Sequence, residues 1–330
     1  MLDLTTNYLG FKLKNPIIVG SSGLTNSVEK IKKLEEHGVG AVVLKSLFEE
    51  QILMEMDNNA NQNYHDYPEA HDYARYYTKE KNTDDYLQLI KDAKQAVNIP
   101  IIASINCVSD KEWIGFAKSI EDAGADALEL NIALLPSDFK QGSSENEQKY
   151  FDVITKIRGN IKIPIALKIS HYSAGLAQLV EKLSWTKKID AFVLFNRFYN
   201  PDIDIENKKI ISSSVTSSPN DIFVTLRWIA LLSDKIKEPL VASTGIHDGA
   251  GVIKQLLAGA QAVQMVSSIY NEGSKHIETV IKDIKDWMNK NNYTSINDFR
   301  GLLNQKNVEN PAFYERTQFM KYFSSYKDSI

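Results

Sequence analysis

PLVASTGIHDGAGVIKQLLAGAQAVQMVSS, residues 239–268, decides the fold. A proline introduces a short apolar run that ends on Thr244 and Gly245. A helical stretch, 249–257, follows, and Gly259-Ala260 leads into a second run that ends on Ser267 and Ser268. Apolar runs of this length, bounded by Pro or Gly and joined through a helix, read as buried parallel strands with their crossover.

Working outward, the same unit recurs along the chain. NPIIVGSS ends on Ser21 and Ser22, GAVVLKS on Lys45 and Ser46, PIIASIN on Asn106 and DALELN on Asn131. PIALKIS ends on Lys168 and Ser170, and DAFVLFN on Asn196. Helical periodicity falls between the runs, at 27–37, 84–97, 111–123, 145–157, 174–185, 221–232, 249–257 and 276–289. Gly-Ala pairs at 40-41, 124-125 and 259-260 and prolines at 100, 164 and 239 lead into strands, where a missing N–H costs little and a positive φ ends a helix. Eight such units predict an α/β fold, a (β/α)8 TIM barrel whose strand ends and following loops hold the active site.

Three long connections leave that face: 47–83, rich in Tyr, His and Asp; 134–148, whose KQGSSENE tract reads as a lid; and 198–220, expected to add a short strand pair. Connections of this length in a compact domain usually carry function. LTTNYLGFKL, residues 4–13, is expected to form an N-terminal hairpin that plugs the bottom of the barrel. Residues 1–300 are expected to be one barrel. Residues 301–330 are expected to form a helical, aromatic C-terminal extension packed on the barrel or on a partner subunit.

The net charge of −4 offers nucleic acid no basic surface. No apolar stretch approaches the roughly 20 residues that cross a bilayer, and MLDLTTNYLG lacks the layout of a signal peptide. The one cysteine, Cys107, leaves no internal disulfide or thiolate metal cluster, and the six histidines show no HExxH spacing. A cytoplasmic, metal-free protein acting on a small molecule is the expectation.

The polar residues at the strand ends are a first draft of the site. Loops after the last two barrel strands often hold a phosphate, and Thr244, Gly245, Ser267 and Ser268 stand there; capping of the next helix is the plainer reading of the same residues. Lys45 and Lys168 end apolar strands. Because no Asp or Glu ends a strand, a ligand is expected to balance their charge, unless they snorkel to solvent. Asn106, Asn131 and Asn196 add amides suited to a planar heterocycle. Phosphate clasp, lysines and amides together suit FMN, with a lysine at the N1–C2=O edge of the ring. Of the histidines, only His171 stands where it reaches the cavity.

The chain resembles the dihydroorotate dehydrogenase family of FMN-dependent barrels, soluble class, from residue 2 to about 300. The resemblance rests on LKNPIIVGSSGLT, GAVVLKS, ASIN, ADALELN, IALKIS, VLFN and, above all, VASTGIHDGAGVIKQLLAGAQAVQMVSSIYNEG. It implies oxidation of dihydroorotate to orotate in pyrimidine biosynthesis, a CH–CH oxidation, by a homodimer. It implies flavin contacts from Ser22, Gly23, Lys45, Ser46, Asn131 and Lys168, a phosphate site at Thr244, Gly245, Ser267 and Ser268, and a substrate bordered by Lys45, Asn131 and Asn196.

The family's proton-abstracting Cys or Ser lies in an LNxS(C/S)PN pattern, where this chain reads Leu130-Asn131-Ile132-Ala133-Leu134-Leu135-Pro136. A leucine therefore occupies the base position, and Ser137 or Cys107, or a Tyr or His of 64–77, would have to serve with Lys45. Arg197, where the family has Ser, suits a substrate carboxylate or a salt bridge to Asp202. The substrate is thus expected to be dihydroorotate or a related planar, anionic or pyrimidine-like compound. Two rivals are a Schiff-base aldolase with Lys168 as nucleophile and a catalytically silent flavin binder.

Overall fold

The computed structural model describes residues 2–48, 68–106, 113–132, 134–198 and 200–316. A hairpin comes first, β1 (Thr6–Tyr8) against β2 (Phe11–Leu13), paired antiparallel. The order then runs β3 (Ile17–Val19), α1 (Val28–Glu36), β4 (Ala41–Val43), β5 (Leu47–Phe48), α2 (Pro68–Ala96), β6 (Ile101–Asn106) and α3 (Trp113–Asp122). Next come β7 (Ala127–Ile132), α4 (Ser143–Arg158), β8 (Ile165–Ile169), α5 (Leu176–Trp185), β9 (Ala191–Leu194), β10 (Pro201–Asp204) and β11 (Lys209–Ser212). The chain finishes with α6 (Ile222–Leu232), β12 (Leu240–Ser243), α7 (Gly249–Ala258), β13 (Ala262–Met265), α8 (Ser267–Glu272) and α9 (His276–Lys290).

Strands β3, β4, β6, β7, β8, β9, β12 and β13 are parallel neighbours, and the β13–β3 and β4–β6 pairings close the ring. This is the expected (β/α)8 barrel. The prolines sit just ahead of their strands and serve the ladder through their carbonyls: Pro100, Pro164 and Pro239 accept from Val42, Leu128 and Phe192. Two expectations change in detail. At the first Gly-Ala pair it is Gly38, at φ +94°, that turns the chain out of α1. Gly40 is needed because a Cβ there would lie 2.4 Å from the Asn15 carbonyl. Helix α2 begins at Pro68 rather than 84, so the second part of the 47–83 connection is helical; residues 49–67 lie outside the described ones. The strand pair of the third connection is present as β10 and β11.

The hairpin closes one end of the barrel. Tyr8, Leu9 and Leu13 pack as one cluster with Ala41, Ala127, Ala166, Ala191 and Ala262, which stand at the starts of their strands. Small alanines there leave the volume that the hairpin side chains fill, and a filled interior is what makes such a barrel a core rather than a pore. After α9, Phe299 is fully buried against Trp287 and Tyr293, and Leu303 and Gln305 donate backbone hydrogen bonds to Leu257 of α7 and Ala230 of α6. Among the described residues no helix is long and apolar enough to cross a membrane.

Candidate active site

Alternation along each strand sends every second side chain inward. Above the alanine layer the inward residues become polar: Glu129 and then Asn131 on β7, Lys168 on β8, Gln264 on β13 and Ser243 on β12. A cavity of about 200 Å³ opens over them and is lined by Lys168, Asn196, Arg197, Thr244, Gly245 and Ser267, together with Ser21, Ser217, Ser243 and Gln264. A larger cavity of about 990 Å³ lies near the other end, between the N-terminal segment and α9. Lys14, Glu278, Lys285 and Asp286 mix both charge signs along it, away from the catalytic face.

The interior corrects one expectation outright. Lys168 is 7% exposed, and its ammonium donates to Gln264 Oε1 at 2.8 Å. The Gln264 amide in turn donates to Glu129 Oε2 at 2.5 Å, and Glu129 Oε1 stands 3.5 Å from the Lys168 nitrogen. A buried acid, not a ligand, is therefore the counter-charge of Lys168. Glu129 lies two residues before the strand-end Asn131 and faces the same way, so a reading confined to strand ends passes over it. Lys45 differs: it is exposed at the mouth and has no hydrogen bond or ion pair among the described residues.

The turn after β12 is strained. Thr244 and Gly245 have φ of +78° and +76°, and the Thr244 hydroxyl donates to the Phe195 carbonyl. Positive φ at a β-branched residue is uncommon and tends to mark functional turns. Gly245 is fixed by packing too, since a Cβ would lie 2.2 Å from the Ile222 nitrogen at the start of α6. Ser267 accepts from the Ser217 backbone at 2.9 Å and from its hydroxyl at 3.0 Å; Ser217 also meets His247 Nε2 at 3.1 Å. Ser268 sits behind this wall, buried, its hydroxyl without a partner.

The other expected residues divide. Ser22 caps the turn over Gly23, and a Cβ on Gly23 would lie 2.7 Å from the Tyr270 hydroxyl. The Ser46 hydroxyl is buried between those of Ser21 (2.9 Å) and Ser104 (2.7 Å), a tie across the ends of three strands. Asn131 is buried and its Oδ1 has no partner. Arg197 donates to the Val215 and Ser214 carbonyls at 3.0 and 3.1 Å rather than to Asp202. Burial lowers the His171 pKa; its ring packs on Tyr172 and Phe195 and does not line the cavity. Leu134, at the base position, accepts the Ser170 hydroxyl on its carbonyl. Ser137 is exposed. Cys107 and His65 lie outside the described residues. The sequence reading missed Glu129, Gln264, Ser217 and Ser243; inward alternation would have found the first two and Ser243, whereas Ser217 arrives from a connection with no periodic signal.

The sequence pattern of the family described as dihydroorotate dehydrogenase matches residues 3–288. The chain is 25% identical over 308 residues to the dihydroorotate dehydrogenase B (NAD(+)) catalytic subunit of Thermoplasma volcanium, covering 92% of this chain and 99% of that one. It is 24% identical over 303 residues to the same subunit of Methanocaldococcus jannaschii, covering 88% and 95%. A dihydroorotate dehydrogenase (fumarate) of Saccharomyces mikatae is 25% identical over 324 residues, covering 92% and 98%.

Proposed function

Because the chain belongs to the dihydroorotate dehydrogenase family, we propose that it is an FMN-dependent oxidoreductase whose substrate is a planar, anionic compound of the dihydroorotate type. The observation that carries this reading is Lys168, an ammonium almost wholly removed from water on the floor of a cavity walled by the Thr244–Gly245 turn. The residues present fit FMN. Asn131 Oδ1 is a buried acceptor still lacking a donor, and the turn and Ser267 offer polar groups where the phosphate is expected. FMN, when bound, supplies the hydride acceptor.

The chain's own residues do the rest. Lys168 would hold positive charge beside bound FMN, where it would favour the negative charge that develops on reduction. Asn196 and Arg197 border the space above. Arg197 uses two of its five N–H groups on loop carbonyls, which leaves donors for a carboxylate. Lys45 at the mouth adds a second cation. Leu134 and Leu135 cannot accept a proton, so unless another residue takes that part dihydroorotate itself would lose the 10²–10⁴-fold that a general base typically contributes. That loss supports a relative of dihydroorotate over dihydroorotate. The contacts of Lys168 are those of an ammonium held by an amide oxygen and a carboxylate, which works against a Schiff-base role, where a free amine must attack.

A visible spectrum of the purified protein, followed by anaerobic addition of dihydroorotate, tests the proposal. Flavin absorption is expected, with bleaching at least a hundredfold slower than a base-equipped site would give. A colourless protein that does not take up added FMN would overturn it.

A further inference from the structure

Glu129 is the buried acid that the reaction, as described, does not use. Its side chain is wholly buried in the middle of β7, and the alternation of the strand points it at the barrel axis. An unpaired carboxylate in such a place is costly, so its surroundings must offset it. They do so on one side only. Oε2 takes the Gln264 amide at 2.5 Å, while Oε1 has no hydrogen bond and faces the Lys168 ammonium at 3.5 Å. Below, the Tyr8 hydroxyl of the hairpin is also buried and without a partner, and both burial and the Glu129 charge raise its pKa.

Gln264 can stand in only one orientation. Turned over, its NH2 would meet the ammonium and its oxygen the carboxylate, two repulsive contacts in place of two attractive ones. The amide is thus a polarised link between a cation that lines the cavity and an anion that does not.

We infer that Glu129 is a positioning residue for the cofactor: through Gln264 it pins the Lys168 ammonium in the cavity floor and offsets part of its charge, and so sets how strongly the site favours reduced FMN. This rests on the FMN reading above. A bare lysine would stabilise a reduced, anionic ring to the full extent of its charge. A lysine backed by a carboxylate one layer deeper does so less, which keeps the reduced cofactor able to pass electrons on.

The test is the midpoint potential of bound FMN, measured by anaerobic reductive titration against a reference dye. Glu129→Gln keeps the shape and removes the charge. It is expected to shift the ratio of reduced to oxidised FMN about tenfold toward reduced, or ~30 mV upward for a two-electron couple. Glu129→Asp, which retains the carboxylate, should stay within about twofold of the parent by the same conversion. Should Glu129→Gln fail to fold, the uncharged pair Glu129→Gln/Lys168→Met replaces the ion pair without stranding either charge. Its potential should move the opposite way, because the nearer, positive member has been lost. A folded, yellow Glu129→Gln protein with an unmoved potential, or an unmoved double variant, would reduce Glu129 to a core ion pair and overturn the inference. A protein that binds no FMN would remove the cofactor reading and this inference with it.

Discussion

Thr244 and Gly245 show how much one turn can demand of its residues. Both take positive φ, and Gly245 also lies where any Cβ would strike the backbone at the start of α6. Gly245→Ala should therefore cost about 1–3 kcal/mol or more in denaturant unfolding and loosen the wall of the cavity at once. An unchanged midpoint of unfolding would show that the turn relaxes freely. At this scale the polar strand ends were a partial guide: Lys168, Asn196, Thr244, Gly245 and Ser267 line the cavity, whereas Lys45, Ser46, Asn131 and Ser268, also at strand ends, are not among its lining residues. It misled over charge balance, because Glu129 stands inside its strand rather than at the end. Period-two alternation puts Glu129 and Asn131 on one face, and that rule applied to whole strands would have revealed the acid.

Among the elements, the hairpin carries the clearest consequence. Leu13 is only 1% exposed in the cluster that fills the strand starts. Leu13→Ala should destabilise the fold by about 2–5 kcal/mol, since the alanines around it cannot close the gap. Thermal unfolding reads this directly, and a loss below that range would show that β1 and β2 adjust to fill the space. The hairpin, the β10–β11 pair and the helices after 84, apart from the short α8, could be read from periodicity and turn residues. The start of α2 could not, because 68–83 mixes aromatic and charged residues without an apolar stripe; Pro68, a residue favoured at the first helical position, was the available signal.

The whole molecule is closed at its seam as well as at its base. Asp3 pairs with the segment after α9, through Thr294 and Ile296, so the start of the chain is stitched to residues near 295. A ligand that binds only the folded barrel draws on all of these contacts. FMN at a hundred times its dissociation constant should stabilise the protein against unfolding by about 2.7 kcal/mol. Heat unfolding with and without FMN measures it, and no shift would mean that the cavity does not hold the cofactor.

The stopper formed by β1 and β2 gives the barrel the plan of a blind well. Among the described residues the cavity over Lys168 opens on the side opposite the hairpin, so a guest there would rest on a closed floor. The plug thereby leaves the floor of the well dry from beneath, with Tyr8, Leu9 and Leu13 between the strand starts and solvent.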